Sequence, residues 1–255
     1  MDLGFSERVV IVTGGGAGIG AATVRLFAQE GAKVIIADVD PQRSKALEAE
    51  LKSRGLVAEF VETDVSRGES VERMVAKTVE LFGKVDVLVN NAGVYLKGDV
   101  LVFTEEDFRR IMDINVKGVL LCTQSVGKHM VKQKNGVIVN VASEAGLVAI
   151  SNQMLYNLTK AAVISITKSC AVDFADHGVR VNCVCPGTTY TPLVEEALKK
   201  EKDPERARRS LEETRPLKRL GKPEEIAAAI LFLASPLVGY ATGAVLSIDG
   251  GYTVW

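Results

Sequence analysis

A chain of 255 residues with 47% hydrophobic side chains fits one large α/β domain or two small ones and can bury a substantial core. Its formal net charge is −1, so no global field calls for a nucleic acid or an anionic membrane as partner. The two histidines, His129 and His177, stand far apart without acidic or cysteine companions at ligand spacing, which argues against a metal site.

The N-terminus carries Asp2, Glu7 and Arg8 before a short apolar run, which does not read as a secretory signal. From there, short Val/Ile-rich runs alternate with amphipathic patterns. Strands are predicted at 8–13, 34–37, 58–62, 85–89, 137–141, 179–184 and 244–248. Near-continuous apolar strands imply cover on both faces, hence a parallel sheet. Helices are predicted at 41–54, with Pro41 opening and Gly55 closing, and at 68–82, closed by Gly83. A third is predicted from the N-cap Thr104, with Glu105, Glu106 and Asp107 in its first turn, to about 132. A fourth is predicted at 152–177. Strand–helix–strand repetition implies right-handed crossovers and a single doubly wound domain over 1–255, a seven-stranded parallel sheet flanked by helices.

Two stretches need separate reading. Residues 226–248 hold no charge and are long enough on paper to span a bilayer, but Ser235, Pro236, Gly239 and Gly243 interrupt them. They read as buried helix, turn and buried strand, and the expected location is the cytoplasm. Residues 195–219 are crowded with charge and hold Pro204 and Pro216. They read either as a solvated helical excursion or as a lid, and their place after the sixth strand favours a lid spanning 190–219. Of the four cysteines, Cys122, Cys170, Cys183 and Cys185, none forms a CxxC. Cys183 and Cys185 alternate with Val184 and point to one face, as small core residues do.

The first strand runs into Thr13-Gly14-Gly15-Gly16-Ala17-Gly18-Ile19-Gly20 and then a helical pattern. Glycines admit backbone N–H groups close to a ligand, and the helix N-terminus behind them offers a site for a pyrophosphate. Asp38 ends the second strand, 18 residues beyond Gly20, where a carboxylate accepts hydrogen bonds from a ribose diol and repels a 2′-phosphate. Ala17 supplies no cation, and the nearest arginine, Arg43, lies inside the next helix, so NAD is favoured over NADP. Tyr156 and Lys160 stand four apart at the start of a helix and share a face. An ammonium beside a phenol lowers the phenol's pKa, which suits proton transfer to or from a carbonyl oxygen. Alone, that pair reads better as a half-buried core Tyr and a solvated Lys. No other tyrosine has a lysine four residues on.

Together these motifs resemble the classical short-chain dehydrogenase/reductase family along essentially the whole chain. Thr13, Gly14, Gly18 and Gly20 match its TGxxxGxG; Asn90-Asn91-Ala92-Gly93 its NNAG; Tyr156 and Lys160 its YxxxK; Ser143 its serine; Pro186-Gly187 its PG motif. The resemblance implies that Tyr156 is the acid/base, that Lys160 lowers the pKa of Tyr156 and binds the nicotinamide ribose, and that Ser143 donates to the substrate oxygen. It implies that Asn115 holds a water in a relay to Lys160. Along the cofactor it places Gly14, Gly18, Ile19, Gly20, Asp38, Asp64, Val65, Asn90, Ala92, Gly93, Pro186, Gly187, Thr188 and Thr191, besides Tyr156 and Lys160. Asp64 and Val65 would contact the adenine, and Thr188 and Thr191 the carboxamide.

Near the reacting groups, Glu144, Gln153, Thr188 and Tyr190 are candidate substrate contacts alongside Ser143 and Tyr156, with Val94 and Leu147 apolar. Such convergent polar groups suit a small hydroxylated substrate: a sugar, a polyol or a hydroxy acid. Arg208 and Arg209 are possible grips for a carboxylate, or a solvated charge run. The competing expectations are an NADPH-dependent 3-oxoacyl-carrier-protein reductase and a non-catalytic NAD-sensing regulator. Relatives of this kind are usually homotetramers, which implicates helices 104–132 and 152–177 and the segment 249–255 in contacts between copies.

Overall fold

The computed structural model describes residues 2–255. Seven strands, β1 (Val9–Thr13), β2 (Lys33–Asp38), β3 (Ala58–Glu62), β4 (Val87–Asn90), β5 (Gly136–Val141), β6 (Val179–Pro186) and β7 (Val245–Ile248), form one sheet. Its order is β3-β2-β1-β4-β5-β6-β7, and every pairing is parallel. Strand order reverses between β1 and β4, so a crevice opens beyond their carboxyl ends, where ligands bind in open α/β sheets.

Side chains along each strand alternate between two helical layers. Val10 and Val12 pack with Val24 and Phe27 of α1 (Gly18–Gln29) and Ile226 and Ile230 of α9 (Pro223–Ala234). Leu47 and Leu51 of α2 (Pro41–Ser53) extend that layer. Ile11 faces the other layer, with Met74 and Val75 of α3 (Gly68–Phe82) and Val126 and Met130 of α5 (Gly118–Gln133). Cys183 and Cys185 share a third cluster with Val119 and Val163, buried and unbridged.

Local chemistry sets the helix ends. Asp40 caps α2 by accepting from the N–H groups of Gln42 and Arg43, with Pro41 in the first turn. Thr104 and Asp107 form a reciprocal capping box on α4 (Glu105–Met112). Gly83 closes α3 in the left-handed region at φ +76°.

The remaining elements refine the expectations, three of them as corrections: the helix from Thr104, the end of the helix at 177 and the burial of the seventh strand. The helix from Thr104 is not continuous: a π turn, Asp113–Lys117, separates α4 from α5. The segment after β6 is two helices, α7 (Pro192–Lys199) and α8 (Pro204–Glu213), each with proline in its first turn. Helix α6 (Met154–Asp173) stops short of 177, because Ala175–His177 tighten into a 3-10 turn ended by Gly178 at φ +68°. Strand β7 is half-buried rather than buried, since it is the edge of the sheet. Among the described residues, no helix is long and apolar enough to cross a membrane.

Candidate active site

The glycine turn between β1 and α1 is shaped by close approach. Gly14 and Gly18 lie in the left-handed region, at φ +62° and +53°. A Cβ on Gly20 would sit 2.0 Å from the Gly14 carbonyl oxygen, and one on Gly14 would sit 2.9 Å from Ala92 Cα. Helix α1 has no side-chain cap at Ala17 and no acid in its first turn, so its leading N–H groups are open to an anion. The end of β4 is stitched to this turn. Thr13 Oγ1 accepts from the N–H groups of Asn91 and Ala92, and Asn91 Nδ2 donates to the carbonyls of Thr13 and Gly14.

Asp38, half-buried, accepts from Gly16 N at 2.8 Å and from Asp40 N at 2.9 Å. Its carboxylate is therefore held at the rim of the turn. Arg43 is occupied elsewhere, beside Asp40 at 3.4 Å and Glu196 at 3.8 Å. Asp64 accepts from Ser66 N and Ser66 Oγ, which steadies the loop after β3, while Val65 packs against Gly118. The Thr191 methyl lies 3.2 Å from where a Gly18 Cβ would be, and its hydroxyl caps α7. Open helix donors, room that any Cβ would fill and a carboxylate fixed at the rim of the turn fit a dinucleotide.

Beyond β4 and β5 a second group converges. Ser143 follows β5 and caps the one-turn helix Glu144–Gly146, its Oγ accepting from Ala145 N at 3.2 Å. Tyr156 and Lys160 sit on the first turns of α6. Lys160 Nζ donates to the Val141 carbonyl at 2.9 Å and lies 5.6 Å from the Tyr156 ring centroid. Asn115 occupies the π turn, a distortion common at functional sites. Its side chain is not satisfied within its own helix: Oδ1 accepts from Val94 N, and Nδ2 donates to the Val94 carbonyl and to Thr159 Oγ1. A Cβ on Gly93 would lie 3.3 Å from Asn115 Oδ1 and 3.6 Å from Lys160 Nζ, so the glycine keeps a passage open before both. Asn90, buried beneath them, donates to Thr123 Oγ1 and Asn140 Oδ1.

Electrostatically the pair departs from expectation. Part of Tyr156 stays open to solvent, yet desolvation dominates and pushes its phenol up to about 12, with the nearby Ser143 hydroxyl pulling the other way. Desolvation likewise takes Lys160 down to about 8. In the free protein, burial therefore outweighs the lysine's expected lowering of the phenol. Tyr95 stacks edge-on against Tyr156, ring centroids 5.3 Å apart at 72°. Nothing in the sequence marked Tyr95 except its place two residues beyond Gly93.

The substrate-side expectations divide. Arg215 holds both Glu144 and Thr188: its Nη2 donates to Glu144 Oε1 at 2.6 Å and to Thr188 Oγ1 at 2.5 Å, while Glu144 Oε2 is buried without a partner among the described residues. The Thr188 hydroxyl thus serves as an acceptor that the buried guanidinium demands. Burial, with Asp249 adding to it and Arg215 opposing, raises Glu144 to about 7. Arg215 was hidden in sequence by the charges around it. Gln153 pairs through its backbone with Gly98, which folds the loop after β4 onto the start of α6. Tyr190 is exposed, with Arg208 5.0 Å from its ring centroid. Arg208 and Arg209 pair on the surface with Glu212 and Glu205, the solvated alternative. Leu147 is exposed and Val94 half-buried. Among the described residues, no group of three or more His, Cys, Asp or Glu gathers as a metal site.

The family model described as enoyl-(acyl carrier protein) reductase matches residues 14–253. A 3-oxoacyl-[acyl-carrier-protein] reductase of Thermotoga maritima is 42% identical, covering 97% of this chain and 98% of that one. The cis-4-hydroxycyclohexanecarboxylate dehydrogenase of Sinomonas cyclohexanicum is 41% identical, covering 99% of each. The crystal structure of levodione reductase superposes with a TM-score of 0.94 at 36% identity, covering 98% of both chains. With fold and motifs shared from end to end, the chain belongs to the classical short-chain dehydrogenase/reductase family, whose oxidoreductases work with a nicotinamide cofactor.

Proposed function

We propose that the protein is an NAD-dependent enzyme that interconverts a secondary alcohol and a ketone, with a small hydroxylated compound as substrate. The observation that carries this reading is the convergence of Ser143, Tyr156, Lys160 and Asn115 beside the glycine turn, at the carboxyl ends of β4 and β5. The nicotinamide, when bound, takes up or gives the hydride at the carbinol carbon. Tyr156 takes the hydroxyl proton in oxidation, as phenolate, and returns it in reduction. Ser143 Oγ donates to the same oxygen and stabilises its developing charge. Lys160 favours the phenolate and reaches the cofactor's ribose, and Asn115 holds a water toward Lys160 across the space that Gly93 leaves.

Asp38, with Ala17 supplying no cation of its own and Arg43 turned to Asp40 and Glu196, supports NAD over NADP. Gly14, Gly18, Ile19, Gly20, Asp64, Val65, Asn90, Ala92, Gly93, Pro186, Gly187 and Thr191 line the proposed cofactor path. The relative that acts on a hydroxycyclohexanecarboxylate supports a hydroxy acid. The acyl-carrier-protein reductase relative favours a second reading, with NADPH and a 3-oxoacyl substrate; Asp38 stands against it. The test is a panel of hydroxy acids, sugars and polyols assayed with NAD+ and NADP+, including cis-4-hydroxycyclohexanecarboxylate. Turnover with NAD+ that drops at least about 100-fold in Tyr156→Phe is expected. Equal turnover in that variant would remove Tyr156 from the proton step.

A further inference from the structure

Glu144–Arg215 is unusual in this molecule. Among the described residues it is the ion pair with both side chains below 5% exposure, at 4% and 3%. Such a pair is a poor device for stability, since well-packed apolar side chains do as well or better. Its connections give a different reason for it. Glu144 directly follows Ser143 and opens the one-turn helix that Ser143 caps. Arg215 Nη1 donates to the Leu211 carbonyl at 2.6 Å and to Thr214 Oγ1 at 2.7 Å, which fastens it to the end of α8. Thr188, which shares Arg215 Nη2, belongs to the loop leaving β6. The Tyr252 ring lies 5.0 Å from the guanidinium carbon. Gly187 leaves room for Glu144 Oε2, which sits 2.9 Å from where a Cβ would be. Helix α8 buries no residue of its own and α7 buries only Leu198, so little apolar packing holds that excursion and the pair fastens its far end.

We propose that Glu144 and Arg215 form a buried clamp that positions Ser143 for the reaction and anchors the α7–α8 segment over the site, Glu144 being a positioning residue. The idea rests on the hydride-transfer reading for its kinetic part only. The clamp needs Glu144 ionised. The groups that face it are Arg215 from the end of α8, Asp249 from beyond β7 and Tyr156 from α6, and its own value near 7 places its loss just below neutrality. In ketone reduction the phenol of Tyr156 stays protonated well above that, so it adds no acid limb. A fall in reduction rate below about pH 7 then reports the clamp.

The experiment uses Glu144→Gln, Arg215→Met and the double variant. Each is compared with wild type in tryptic cleavage within residues 192–213 at pH 8. Each is also assayed for reduction, with NADH, of the ketone of whichever panel alcohol turns over. Both single variants are expected to be cleaved faster and to lose about 10- to 100-fold in kcat with the KM for NADH little changed. Glu144→Gln should lose the acid limb. Arg215→Met leaves an uncompensated buried carboxylate and can unfold. The double variant removes both charges, so it regains thermal stability, but not kcat if the role is positioning. Cleavage at the wild-type rate in Glu144→Gln, an acid limb that survives in it, or a double variant with full kcat would each overturn the clamp. If no panel alcohol turns over with wild type, the hydride-transfer reading fails instead, and proteolysis, which needs no substrate, still decides the clamp.

Discussion

Lys160 carries a cost in the free protein that its proposed role would explain. It is buried, and among the described residues its Nζ hydrogen-bonds only the Val141 carbonyl. A lysine whose folded pKa is about 8 rather than 10.5 penalises folding fully below pH 8, and stability recovers as pH rises from there toward 10.5. The gap corresponds to about 3 kcal/mol, less about 1 kcal/mol for the lost hydrogen bond. Lys160→Met should therefore be more stable than wild type at pH 7 by up to about 2 kcal/mol, with the gain vanishing near pH 10. Urea titrations at the two pH values check this, and a destabilised variant at pH 7 would contradict it. The spacing from Tyr156 to Lys160 was legible in the sequence. Its electrostatics were not, because spacing puts two groups on one face without saying how deeply the surrounding chain buries them. Arg215 was illegible for the complementary reason: one buried guanidinium among many solvated charges leaves no compositional trace.

At the scale of elements, the site depends on how α5 and α6 are seated on the sheet. Asn90 of β4 and Asn140 of β5 lie opposite one another in register. Asn90 Nδ2 donates to Asn140 Oδ1 at 2.9 Å, and Asn140 Nδ2 donates to Thr167 Oγ1 of α6 at 2.9 Å. A further bond from Asn90 reaches Thr123 of α5 at 3.1 Å. This buried ladder ties the strands that present Asn90 and Ser143 to the helix that presents Tyr156 and Lys160. Asn140→Ala leaves Asn90 with one fewer acceptor and opens a small cavity, and should cost about 2–3 kcal/mol. Thr123→Val should cost about 1 kcal/mol, since Asn90 keeps Asn140. Thermal unfolding separates the two, and equal losses would show that the ladder is not the link. The strand at 137–141 was readable from its Val/Ile alternation despite Asn140, but the partner of a buried Asn is set by strand order. The π turn was also unreadable: the family likeness singled out Asn115, but only its contact with Val94 reveals where the backbone widens.

For the whole molecule, the alternation of short apolar runs with amphipathic helices was enough to give a parallel doubly wound sheet, because only that arrangement covers both faces of every strand. Boundaries slipped by a few residues where hydrogen bonding outruns hydrophobicity, as at Cys185 and Pro186 in β6. The surface then points to assembly. Leu120 on α5, Leu158 and Val172 on α6 and Phe108 on α4 are exposed, Val172 at 78%, on the helices that the family likeness expects to pair. Beside them the loop after β4 exposes Val100, Leu101 and Val102. Apolar surface on this scale on a monomer would be a liability, whereas contact between copies would cover it. Light scattering after size-exclusion chromatography is expected to give four times the chain mass of 27.4 kDa. The double variant Leu120→Glu/Leu158→Glu should shift the mass to smaller species, because like charges brought together at a two-fold axis repel and lose hydration. NADH binding should survive that shift, since neither leucine belongs to the proposed cofactor path. A wild-type chain that elutes and scatters as a 27.4 kDa monomer across micromolar concentrations would overturn the assembly.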